Sequence, residues 1–164
     1  MIARTKSGTI VVPWGFTNNC IRALATSLTL AKDPSLIRVV HVANANANHA
    51  PGVLCERLVA ETSRQLALRF RQKLQEEKLP QELSFYVVYG AVATEIVSFA
   101  ERYEAGLIVV TKKDNFEISR LFFGSQALRV IRLAHCPVLV LKNGDHGPRR
   151  TFPNIERVTA ATYR

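Results

Sequence analysis

Two groups of residues in this 164-residue chain could do chemistry, and both suit the holding of a ligand rather than a reaction, the first of them an anion. Gly124-Ser125 opens an apolar-periodic segment, Ser125–His135, that reads as a helix. The first amides of such a helix lack internal partners and lie at the positive end of its dipole, which favours an anion. Lys112, Lys113 and Arg120 flank that terminus and could add charge, although the same residues also read as solvated loop cations. The second group is Trp14-Gly15-Phe16-Thr17, which follows the first apolar run. Tyr89-Gly90 ends another run, and a glycine there lets backbone approach a ligand closely. His41, at the end of a third run, reads either as a crevice residue or as a hydrogen-bonded core residue.

Other chemistries lack their signatures. The chain has no Gly-Lys-Ser/Thr phosphate loop and no Gly-x-Ser-x-Gly nucleophile turn. Nor does it group Ser, His and Asp as a catalytic triad would need, so no catalytic residue is expected and the protein is not read as an enzyme. Cys20, Cys55 and Cys136 form an odd set without a Cys-x-x-Cys pair, and His41, His49, His135 and His146 show no ligand spacing. Reduced structural thiols and no metal are the expectation.

The elements that must position these residues alternate regularly. Thr9–Trp14, Leu36–Val42, Leu83–Tyr89, Leu107–Val110 and Val138–Leu141 are continuous apolar runs, as strands covered on both faces require. Between them lie helical patterns: Ile21, Leu24, Ala25 and Leu28 after a cap at Thr17, Asn18 or Asn19; Val53 to about Lys78, with Leu54, Leu58, Leu66, Phe70 and Leu74 as core; Ala93 to Glu104, with Ile96, Val97 and Ala100; and Ser125–His135, with Leu128, Ile131 and Leu133. Asn44–Asn48 is a polar surface loop. Five alternations of this kind imply a doubly wound, Rossmann-like α/β fold: a five-stranded parallel sheet with helices on both faces, of expected order 3-2-1-4-5. In such sheets ligands bind beyond the carboxyl ends of the strands where the order reverses. That places a crevice between Trp14–Thr17 and the loop starting at Thr111.

Charge and composition exclude other classes. The net charge of +9 is spread: Thr111–Arg132 and Lys142–Arg164 each carry five basic and two acidic residues, and no helix bears a continuous basic stripe with interleaved aromatics. Nucleic-acid binding is therefore not expected. No apolar run approaches the roughly 20 residues of a membrane helix. The first eight residues are basic without the apolar core of a secretion signal, which points to the cytoplasm. Residues 1–143 are expected to form the domain, and 144–164, with its Gly and Pro residues, an extended tail or linker.

Several pieces together are similar to the universal stress protein family. Ile10-Val11-Val12-Pro13 with Thr17 and Arg22-Ala23-Leu24 resembles the family's opening strand and helix, and His41-Val42 the end of its second strand. Gly90-x4-Glu95-Ile96-Val97-x2-Ala100 followed by Ala105–Val110 resembles its third helix and fourth strand. Arg120–Ser125, Val130 and Cys136–Val140 resemble its closing segment, so the likeness covers roughly Thr9 to Lys142.

The resemblance implies a pocket and a dimer. Members that bind ATP carry Gly-x2-Gly-x9-Gly-Ser/Thr after the fourth strand; at the matching positions this chain has Thr111, Asp114, Gly124 and Ser125. The spacing is kept, but two glycines are lost: Thr111 does not readily take a positive φ, and a carboxylate at Asp114 repels a triphosphate unless a metal bridges them. Gly15 stands where binders have an acid that contacts adenine, and Trp14 beside it could fill the base slot or stack on a base. The implied pocket thus comprises Pro13, Trp14, Gly15 and Thr17, Val42 and Gly90, Thr111, Lys112 and Lys113, and Gly124, Ser125 and Gln126. The expected function is a non-enzymatic stress-response or regulatory protein with a degraded ATP motif and no cofactor. The alternative is binding of ATP with Mg²⁺, or of another anionic nucleotide, at the Gly124-Ser125 terminus. The family's dimers form through the last strand, which implies a homodimer through Val138, Leu139, Val140 and Leu141, with room for an unidentified protein partner and no role for a membrane.

Overall fold

The β-branched run at Ile10–Pro13 forms β1, and the parallel strands β2 (Ile37–Ala43), β3 (Ser84–Tyr89), β4 (Leu107–Thr111) and β5 (Val138–Leu141) assemble around it in the computed structural model, which describes residues 8–43, 53–111, 125–141 and 159–161. Their order, 3-2-1-4-5, is the expected one. A sixth strand joins this sheet from the segment 155–162, whose sequence is faintly similar to the opening strand of a domain of this kind and reads as a linker or as an arm on a partner subunit. β6 (Thr159–Ala161) lies antiparallel on the free edge of β5, with Val138 opposite Ala161, Leu139 opposite Ala160 and Val140 opposite Thr159. The polar loop Asn44–Asn48 lies outside the described residues.

Four helices, α1 (Asn18–Leu30), α2 (Val53–Glu76), α3 (Val92–Arg102) and α4 (Ser125–Leu133), cover the sheet on both faces. Strand side chains alternate between the two. Ile10, Val12, Ile37 and Val39 meet Ala23 and Leu24 of α1 and Phe70 and Leu74 of α2. Val11, Val40, Ile108 and Val110 meet Ile96, Phe99 and Ala100 of α3 and Val130 and Ile131 of α4. Phe70, Leu74 and Leu24 have no exposed surface; burying such a side chain contributes about 1.5–3 kcal/mol. Two expected core residues are on the surface instead, Leu58 at 47% exposure and Leu133 at 50%. Helical period locates an apolar stripe but not how far the sheet extends beneath it.

The helices stop without glycine. After α2, Lys78 takes φ 55° while Leu79 N–H donates to Leu74 O at 2.8 Å. After α3, Glu104 takes φ 47° while Ala105 N–H donates to Ala100 O at 2.8 Å. Both are Schellman turns, in which a left-handed residue lets the chain satisfy orphan carbonyls. They redirect the chain toward β3 and β4.

Candidate functional site

The sheet order reverses between β1 and β4, and there the carboxyl ends of the strands open into a crevice of about 280 Å³. Pro13, Trp14 and Gly15 line it from the end of β1, Val42 from the end of β2, Thr111 from the end of β4 and Gln126 from the first turn of α4. Six of the expected pocket residues are thus brought together. Thr17 and Gly90 stand outside the lining. Gly90 instead closes β3, donating its N–H to Ala43 O at 3.2 Å with φ 151°. A side chain there would be strained by that φ and would meet Glu95 at 2.5 Å. Lys112, Lys113, Asp114, Arg120 and Gly124 lie outside the described residues, and Ser125 is the first residue of α4.

The turn from β1 to α1 is held from both ends. Trp14 N–H donates to Val40 O at 2.8 Å, and His41 Nδ1 lies 2.7 Å from Trp14 O. Since a carbonyl only accepts, Nδ1 carries the proton, which fixes the ring's tautomer. His41 is half-buried, so it is both hydrogen-bonded and part of the crevice lining. Further along, Gly15 N–H donates to Cys20 Sγ at 3.1 Å, and Thr17 Oγ1 lies 3.3 Å from the same sulfur. Thr17 is the N-cap of α1 by position, yet its hydroxyl meets this thiol and caps no amide. Between them Phe16 adopts φ 56°, a left-handed conformation that costs a bulky residue about 1–2 kcal/mol. Its ring is set edge-on to Trp14 at 6.1 Å and to His41 at 5.3 Å, and the Arg69 guanidinium lies 4.7 Å from its centre.

Trp14 turns its indole into the core, which leaves little of its ring for a base to stack on. Its indole is 3% exposed, edge-on to Phe70 at 5.1 Å, and its buried Nε1 has no hydrogen-bond partner among the described residues. No open face is left for a nucleobase. The remaining lining is aliphatic: Val40, Val92, Ile96, Val110, Ala127 and Val130. Cys20 and these aliphatic residues escaped the sequence reading because each also reads as plain core. The usable signal for Cys20 was its place in the first turn of the helix after β1. No described lining residue carries a formal charge, and a Cβ added at Gly15 would touch only Cys20 Sγ, at 3.8 Å. Elsewhere, burial pushes the Cys136 thiol up from its ordinary value. Among the described residues no group of three His, Cys, Asp or Glu could hold a metal ion, and no helix is long and apolar enough to cross a membrane.

Fold and crevice together define the class: a doubly wound α/β domain with an apolar crevice at its switch point, the place where open sheets of this kind take their ligands. Comparison with known proteins narrows the class. The model of the Universal stress protein family matches residues 6–142, and the chain belongs to that family. It is 31% identical over 126 residues to universal stress protein G of Shigella flexneri, covering 69% of this chain and 82% of that one. A shorter stretch of 53 residues is 51% identical to universal stress protein MJ0531 of Methanocaldococcus jannaschii, covering 32% of this chain and only 31% of that protein. Among solved structures, the hypothetical protein MJ0577 superimposes with a TM-score of 0.63 at 18% identity, covering 85% of this chain and 98% of that one. A universal stress protein in complex with cAMP does so at 0.52 and 18%, covering 82% and 95%. At these identities the structures establish the shared fold.

Proposed function

We propose that this chain is a non-enzymatic regulator of the stress response, acting in the cytoplasm as a homodimer, whose crevice has lost the cradle for a triphosphate and accepts at most a nucleotide of low charge. One observation carries the reading: the crevice is open and apolar, uncharged over its described lining, and has Gly15 where an acid would hold adenine. Its 280 Å³ lies just below the ~300–1,000 Å³ of drug-sized pockets, room for a base and sugar more than for a whole ATP. Thr111 and Asp114 in place of glycine restrict the backbone conformations that turn amides toward a phosphate, and Asp114 adds repulsion, which penalises a triphosphate far more than a cyclic monophosphate. The cAMP complex of a structural neighbour supports the choice of ligand class. Under this reading no resident cofactor is needed, and the output is recognition of a partner protein.

A second reading keeps ATP with Mg²⁺, held by Lys112, Lys113 and the Gly124-Ser125 amides. It is favoured by the start of α4 at Ser125, which turns a positive helix end to this side of the sheet. Calorimetric titration separates the two. Saturable heat with cAMP or AMP and a flat trace with ATP and Mg²⁺ up to millimolar concentration supports the first. Tighter binding of ATP than of AMP supports the second.

A further inference from the structure

The sheet has two ends, and the chain treats them differently. β3 ends one side with no strand beyond it among the described residues. At the other side β5 is covered by β6, a segment of the same chain. The covered edge is the one that the dimer reading assigns to a second copy. The main-chain groups of Val138–Val140 on that edge can serve one neighbour at a time, because each amide and carbonyl of a strand edge makes its ladder bond once.

We propose that Thr159–Ala161 is an intramolecular cap on the β5 edge, and that a second copy of this chain joins there only when the cap lets go. This rests on the dimer reading of the preceding subsection and deepens it. Three features make β6 a removable occupant. It is only three residues long, and it pairs with Val138, Leu139 and Val140 while leaving Leu141 without a partner on that side. Its sequence, Thr-Ala-Ala, has two residues of low strand preference, so intrinsic propensity adds little to the pairing. Finally, residues 142–158 join it to β5, whereas an antiparallel hairpin needs a loop of only about 2–5 residues. Such a length of chain, up to roughly 3.3 Å per residue when extended, permits departure without disturbing β5.

The β5 edge suits a like strand. Val138 and Val140 turn to one face and Leu139 and Leu141 to the other, and all four are buried. The edge therefore offers main chain and few side chains to a newcomer. A second β5 meeting it across a two-fold axis would run antiparallel, as β6 does, and use the same register positions. Occupation by β6 and by a second copy are thus mutually exclusive.

The test is the solution mass of the full chain and of a T159P/A160P/A161P variant, by light scattering over the micromolar range. Proline at all three positions removes every amide that β6 could donate. The cap requires a monomer for the unaltered chain at the low end of that range, with dimer forming only as concentration displaces β6, and twice the monomer mass throughout the range for the variant. Dimers in both at that low end would overturn the cap while leaving the dimer reading intact. Monomers in both throughout would overturn both. A dimer that the prolines dissociate would also overturn the cap, since β6 would then be building the assembly. A second variant, T159G/A160G/A161G, keeps all amides but weakens pairing and gives the same readout if the proline variant loses its helical circular dichroism.

Discussion

On the α1/α2 face of the sheet, Trp14, Phe16, Phe70 and Phe85 interlock, with Phe70 stacked on Phe85 at 4.4 Å and edge-on to Trp14 at 5.1 Å. On the α3/α4 face, the buried residues bordering the crevice are Val40, Ile96, Val110, Ala127 and Val130. The aromatics of this second face, Tyr86, Phe99 and Tyr103, gather away from the crevice lining around Arg38, which donates to Tyr86 Oη at 2.6 Å and lies 4.3 Å from the Tyr103 ring centre. One face thus braces the β1–α1 turn from behind with large rigid rings. The other leaves space in front of it, walled by aliphatic side chains. Rigid aromatic packing and open space therefore fall to opposite faces of one sheet.

The comparison can be broken most severely at Phe70. Phe70→Ala removes a ring with no exposed surface that touches both Trp14 and Phe85, and should cost about 3–5 kcal/mol in urea unfolding. On the opposite face Ala127→Leu directs extra carbon into existing space. It should cost less than about 1–3 kcal/mol, the usual range for overpacking a filled core, while abolishing whatever nucleotide heat the unaltered chain gives in calorimetry. Equal destabilisation by the two changes would mean that the faces do not divide these tasks.

The helix ends sharpen the comparison from another side, because here the two faces are alike. Lys78 closes α2 and Glu104 closes α3, both left-handed at φ 55° and 47°. Lys78→Gly and Glu104→Gly should each raise stability by about 0.5–1 kcal/mol, relief of the left-handed strain outweighing the looser unfolded chain. The smallest effect concerns Cys136, packed at the margin of the α3/α4 core. Burial holds its thiol above the ordinary value, so less thiolate is present at pH 8. In a chain whose other cysteines are replaced by alanine, iodoacetamide should label it more slowly than it labels a free cysteine. The rate should continue to climb with pH beyond the point where the free thiol levels off.

Much of this architecture was legible because it depends on local pattern. Continuous apolar runs gave all five parallel strands, strand ends gave Trp14, Gly15 and Thr111 as neighbours of one crevice, and the family resemblance added Pro13 and Val42. What escaped depends on which segments meet. Leu58 lies 12 residues before Phe70, about 120° around the helix, so it falls off the stripe that Leu66, Phe70 and Leu74 share and stays exposed. Thr159–Ala161 is strand only by virtue of pairing with β5, and alanine carries no signal for that. Trp14 followed a strand and faced a crevice, but whether its ring would turn outward or toward Phe70 was decided by a helix residue 56 positions away in sequence. His41 and Cys20 read as core, and their bonds to the β1–α1 turn come from side-chain geometry that spacing does not encode.

Trp14 is the chain's sole tryptophan, and it sits wedged among phenylalanines while also bordering the crevice. The protein therefore carries a built-in fluorophore at the junction of its braced and open walls. Its emission in the native state should lie toward the blue and move to the red as urea admits water. Intensity changes at constant wavelength would report events in the crevice with the core still closed. A single optical channel can thus distinguish occupancy from unfolding.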